Sequence, residues 1–261
     1  VERNLQAITQ ITVIHLSLMA ALSADEVHVE ARGSALRDAL ARARAGTTLI
    51  LEEGTYIGSF TIPPSVTVRA KKPHAAVLNG LGAEQVVILT NDCTLEDLSI
   101  RNGRVGVFTR GIDNRISRCK IYDNQNSGIS SIIAVPQIQD NIIYRNGGSG
   151  IQIWVEEESY NGVIDHNTIV FNDNHGISVG GESEVLITNN IIAYNKRLTL
   201  NSQGNDITIT QENNNYFSNI EFNMSLPEGN YSYDPEFTNP RADTFDFSQS
   251  ARGQFDGQGN S

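Results

Sequence analysis

The sequence predicts an all-β solenoid, a single-stranded parallel β-helix closed at its start by a short α-helical cap. Three observations predict it. Asparagines return at near-constant intervals, the segments between them are short, β-branched and alternating, and no stretch of the repeats sustains a 3.6-residue period. The anchors are Asn102, Asn124, Asn146, Asn172 and Asn195, at spacings of 22, 22, 26 and 23, with Asn219 24 residues later and Asn79 as a weaker copy 23 residues earlier. Gly106, Gly128, Gly150 and Gly176 stand four residues after their anchors, followed by Val107, Ile129, Ile151 and Ile177. Ile121, Ile143, Ile169 and Ile192 stand three before, and Asn141, Asn167, Asn190 and Asn214 five before. Ile116, Ile138, Ile164 and Ile187 stand eight before. A turn of chain this long supplies three short strands and three bends, and stacks on the next turn at about 4.8 Å. Isoleucines should then stack inside, asparagines bond their counterparts at the bends, and the glycines supply a positive-φ corner.

Residues 1–24 come first. The apolar run ITVIHLSLMAALSA is too short and too interrupted to span a bilayer; with Arg3 before it and the small-residue exit Ala21-Leu22-Ser23-Ala24 it reads as a cleaved secretory signal, the alternative being an amphipathic leading helix. The mature chain is expected to be secreted, periplasmic or at the cell surface, and monomeric. SALRDALARARAG then reads as an amphipathic helix over about 34–45, capped by Ser34 and ended by Gly46, covering the open solenoid end. The coils of the β-helix domain, 25–222, start with TTLILEEGTY and FTIPPSVTVRA. From 223 to 261 the repeat dissolves into a tail expected to be irregular and packed on the solenoid.

With 30 acidic against 19 basic residues the net charge is −11, which excludes nucleic acid as a partner needing a broad basic face. Cys93 and Cys119 are too few for a disulfide scaffold and lack metal-ligand spacing, so they are expected as buried hydrophobes. No outward column is a regular Thr or Ala file, which disfavours an ice-binding surface.

The order EVHVEARGSALRDALARARAGTTLILEEGTYIG, then Asn-rich coils, then NNNYFSN, YDPEFTNP and FDFSQSARGQFDGQG, resembles secreted right-handed parallel β-helix proteins of the pectin-lyase-like superfamily. The resemblance spans about residues 26–261. It implies a right-handed coil and work on carbohydrate, as a polysaccharide lyase, glycoside hydrolase, epimerase or non-catalytic surface protein. NHGISVGG is similar to the Gly-His-Gly signature of polygalacturonases, but that family's paired aspartates and Arg-Ile-Lys motif are absent. His175 also takes the turn position held by Ser127 and Ser149, which repeat chemistry explains. The aspartate cluster of calcium-dependent pectate lyases and the Asp-Pro-His motif of alginate epimerases are absent too.

Three features could carry chemistry. Six residues before the anchors the chain reads Glu96, Arg118, Asp140, His166, then Asn189 and Asn213, a file alternating acid and base that is either a proton-transfer site or a structural ladder. Arg101, Arg104, Arg110, Arg115, Arg118 and Lys120 crowd one coil against the single acid Asp113, a patch suited to sugar carboxylates. β-Elimination from a uronate needs a base beside a cation that neutralises the carboxylate; Lys120, Arg118 and Arg145 are the candidates, with Asp140 or His166 assisting. In the irregular coil, Trp154 falls on an outward position shared with Arg110, Ile132 and Gly180, where it could stack on a sugar, with Tyr122, Tyr144, Arg101 and Arg110 as further binding residues. Glu156, Glu157 and Glu158 offer oxygen ligands for Ca²⁺, or form a solvated loop. The expected function is binding, and β-eliminative cleavage, of an acidic polysaccharide; the alternative is a non-catalytic cell-envelope or adhesive protein.

Overall fold

Residues 25–155, 162–219, 226–239 and 244–247 are described by the structure, a computed structural model. The predicted leader 1–24 and the acidic loop Glu156–Glu158 lie outside them. The chain winds a right-handed parallel β-helix of about 8 turns, with one short helix among the described residues. Each turn contributes a strand to each of three faces. The first sheet runs from Glu26–Val29 through Thr48–Leu51, Thr67–Ala70, Thr94–Glu96, Arg115–Ser117, Gln137–Gln139 and Gly162–Asp165. The second runs from Gly54–Ile57 through Ala76–Asn79, Ser99–Arg101, Lys120–Tyr122, Ile142–Tyr144, Thr168–Val170 and Ile191–Ala193 to Asn215–Phe217. The third holds Phe60–Ile62, Gln85–Leu89, Val105–Thr109, Ile129–Ser131 and Ile151–Val155. The long strands Ile177–Thr188 and Leu200–Glu212 pass from the third face onto the first, turning at a register shift between Gly180 and Glu182 where Gly181 has a φ of +83°.

Alternation puts isoleucines inside. Ile121 pairs with Ile143, Ile143 with Ile169 and Ile169 with Ile192, all fully buried, so each rung of the interior presents a branched chain to the next. Two corners carry asparagine ladders. Asn124, Asn146, Asn172, Asn195 and Asn219 are joined Nδ2 to Oδ1, each link 3.0 Å. Asn141, Asn167, Asn190, Asn214 and Asn230 form the second ladder, with links of 2.9–3.0 Å.

Two expectations are corrected here. Gly106, Gly128, Gly150 and Gly176 do not have positive φ. They are required by close approach, since a Cβ at Gly150 would lie 2.5 Å from Ile169 Cγ2 and 2.8 Å from the Gly176 carbonyl. The left-handed corners belong instead to Asp97, Arg118, Asp140, His166, Asn189 and Asn213, and to Asn102, Asp123, Arg145, Phe171, Tyr194 and Ser218. The second correction is one of register. Asn102 shares its corner with Asp123, and Gly103 stands in the ladder position, its N–H donating to Asn124 Oδ1. Asn79 pairs with Arg101, on a strand.

α1 (Ala35–Arg42) buries Leu36, Ala39 and Leu40 against Val29, Leu49 and Phe60 at the solenoid's start. Ser34 precedes it, but its hydroxyl donates to the Asp38 carboxylate rather than capping a backbone group. The helix ends at Ala43, before Gly46. At the other end Asn230 completes the second ladder, Tyr231 bridges Asn215, and Phe237–Asn239 pairs antiparallel with Thr244–Phe247. Phe237 packs on Tyr194 outside the second sheet.

Candidate functional site

A coil wraps the solenoid, so charges adjacent in sequence point in different directions. The basic coil does this. Arg101 and Lys120 lie on the second sheet, Arg104 at the next corner paired with Glu84, and Arg110 beyond the third-sheet strand. Arg115 lies on the first sheet and Arg118 at the corner that follows. The six charges ring the cylinder and do not form one patch.

Vertical files do come together. The left-handed corner after the first sheet stacks His74, Asp97, Arg118, Asp140 and His166. Its acid below Arg118 is Asp97, one residue past the expected Glu96, which pairs with Ser117. Arg118 forks onto Asp97 at 2.9 and 3.1 Å and reaches Glu96 at 3.3 Å, and the Asp97 hydrogen bonds raise its pKa further. His166 is held by its neighbour: Nδ1 lies 2.7 Å from Asp165 Oδ2, while Asp165 Oδ1 accepts from Thr188 Oγ1 at 2.7 Å and Asn189 Nδ2 at 2.9 Å. Burial works against the Asp165 carboxylate, but these donors outweigh it and hold the carboxyl below its usual range. Sequence reasoning missed Asp165, because only its three donors, contributed from the next residue and the next coil, mark it out. Asp140 forms no ion pair among the described residues.

Lys120 pairs with Ser99 and Ile142 and is half-exposed beside this corner. His74 Nε2 meets the Arg118 carbonyl at 2.8 Å, and burial, aided by Lys120, lowers its pKa. Arg145 lies at the opposite edge of the second sheet, 3.2 Å from Asp123 and over the Tyr144 ring. It is therefore a strand's width from Arg118 and Lys120. Tyr122 and Tyr144 stack at 4.9 Å with Arg101 over Tyr122, but Tyr144 is 1% exposed and offers a sugar no open face.

The third sheet carries the other group. Trp154 is 45% exposed and pairs with Gly180, which pairs with Gln203. Continuing the register Thr109, Ser131, Ile153 by one residue places Arg110, Ile132 and Trp154 in one column. Beside it run Phe108, Ser130, Gln152, Ser178 and Asn201, one per coil. Neither file holds an acid, and Arg110 enters no ion pair among the described residues. The width of the first sheet separates Trp154 from His166, so the two groups cannot touch the same sugar ring. The His175 carbonyl accepts from Gly150 as Ser149 and Ser127 accept from Gly128 and Gly106, a repeat role. No group of three metal-ligating side chains occurs among the described residues. None of their helices is long and apolar enough to cross a membrane.

A family profile described as "Right handed beta helix region" matches residues 85–224. No curated protein matches the sequence. Among solved structures, pectate lyase Pel9A superposes with a TM-score of 0.62 at 16% identity, over 82% of this chain and 76% of that one. A mannuronic acid specific polysaccharide family 6 lyase from human gut microbiota superposes with a TM-score of 0.59 at 16% identity, over 74% of this chain. The match spans only 54% of the latter protein. At such identity the likeness is one of fold.

Proposed function

The chain belongs to the right-handed β-helix family, and on that premise we propose that it is an exported, monomeric protein that binds an acidic polysaccharide along the outer face of its third sheet. The observation that carries this reading is Trp154, an indole 45% exposed on a rigid sheet strand. Apolar sugar faces stack on aromatic rings. The polar file beside it supplies hydroxyl partners, and Arg110 in the same column supplies a fork for a carboxylate. The protein matched at 0.62 is a pectate lyase, which adds carbohydrate to the prior without assigning it. The test is affinity electrophoresis in gels containing alginate or polygalacturonate. Retardation that survives Trp154→Ala would overturn the assignment of the face.

Cleavage is the second reading, and Lys120 favours it: a half-exposed amine on the second sheet, beside the corner file of His74, Arg118, Asp140 and His166. In elimination Lys120 would take the C5 proton as the C4–O bond to the neighbouring sugar breaks and a C4=C5 double bond forms, the departing oxygen taking a proton from water, while Arg118, shared with Asp97, offsets the carboxylate charge. Unsaturated uronate absorbing at about 232 nm, lost in Lys120→Ala, would support it. Silence on every acidic glycan by a folded protein leaves a binding or adhesive role.

A further inference from the structure

We infer that Gly180 is the positioning residue of the Trp154 platform: its missing side chain is the seat on which the indole is laid. This rests on the reading that Trp154 stacks against sugar. A Cβ built at Gly180 would lie 2.3 Å from Trp154 Cε3 and 2.5 Å from Cζ3, so the six-membered ring fills the space that a side chain at 180 would occupy. Gly180 does not have a positive φ, so its backbone accepts any residue and conformation does not explain the glycine. Space does. The preceding coil puts Ile132 in this column, and the coil after Gly180 puts Gln203 there, so the gap occurs next to the tryptophan and at neither flanking rung.

The consequence is orientation. An indole standing off the sheet would offer both faces and turn about its χ angles, and ordering it on binding would cost conformational entropy. An indole spread over Gly180 keeps one side against the backbone and gives a ligand a fixed surface running along the solenoid axis. Gln152 lies two residues before Trp154 on the same face of the strand, its Oε1 already taken by Ser127 Oγ at 2.9 Å, so its amide hydrogens are left to donate. Next to it Ser178 Oγ accepts from Asn201 Nδ2 at 3.0 Å, which leaves its own hydroxyl hydrogen to donate. A pyranose lying flat on the indole would therefore meet a donor-rich, uncharged row along one edge. Sugar hydroxyls or ring oxygens would be its acceptors.

Trp154 is the only tryptophan of the chain, so its emission reports the seat directly. Gly180→Ala should keep the far-ultraviolet circular dichroism of the parent. It should shift the emission maximum, change acrylamide quenching, and weaken retardation by alginate or polygalacturonate about 10-fold or more, the scale of one lost aromatic contact. In a Trp154→Ala background the same alanine should change nothing further, which separates loss of the seat from general damage. If Trp154→Ala abolishes retardation and Gly180→Ala leaves emission and affinity at parental values, the seat is refuted while the binding face stands. If Trp154→Ala itself has no effect, the binding face falls first.

Discussion

Replacing Asn167 with alanine should be among the most damaging single changes outside the apolar core. The residue is 1% exposed. Its Nδ2 donates to the Ile138 carbonyl at 2.8 Å, the Asp165 carbonyl at 3.0 Å and Asn190 Oδ1 at 3.0 Å, and its Oδ1 accepts the backbone N–H and Nδ2 of Asn141 at 3.0 Å each. Two amide hydrogens leaving and two arriving make four net hydrogen bonds, about 4 kcal/mol at roughly 1 kcal/mol each. The buried Asn141 N–H then loses its acceptor, adding about 1–3 kcal/mol. Ordinary substitutions cost about 0.5–3 kcal/mol, so the expected loss of about 5–7 kcal/mol stands clear of them. Urea unfolding followed by circular dichroism measures it, with Gln137→Ala, an outward side chain of the first sheet, as a control expected within about 0.5 kcal/mol of the parent. A loss below about 1 kcal/mol for Asn167→Ala would show that the ladders decorate the corners without holding them.

Gly150→Ala should cost about 1–3 kcal/mol in the same assay, because the new methyl must displace Ile169 or the Asn172 ladder. Asp165, whose folded pKa is depressed, contributes stability that is present above its unfolded pKa and lost as pH falls through the folded value; melting temperatures should drop on acidification below about pH 4, and less steeply in Asp165→Asn. Cys119 is fully buried and its thiol pushed up to about 12, and Cys93 is buried with its pKa raised, so a thiol reagent should label neither until denaturant is added. Labelling of the native protein would contradict the closed core around both.

Much of the fold is written in side chains that repeat. Ile121, Ile143 and Ile169, with the asparagines after them, recur because every coil meets the same neighbours above and below, so one physical demand is met by one residue type several times over. Register was less legible where the demand lapses. In the coil of Asn102 the ladder position is Gly103, and the nearest asparagine sits one residue too early, so counting back six from it lands on Glu96 where Asp97 holds the corner. The glycine column was found, but its cause was not, because crowding by Ile169 and φ leave the same letter in a sequence. Candidate site residues suffered most. Whether Arg118 and Arg145 share a face depends on the width of the second sheet, and Tyr144 is covered by groups far along the chain. Neither fact has a local signature.

The two long strands after Trp154 have a mechanical consequence. Where Ile177–Thr188 and Leu200–Glu212 pass from one face to the next they stay hydrogen-bonded to each other on both sides of the break at Gly181, so these two coils are tied together through the corner as well as along the faces. Prising these two coils apart would have to break one long ladder rather than two short ones.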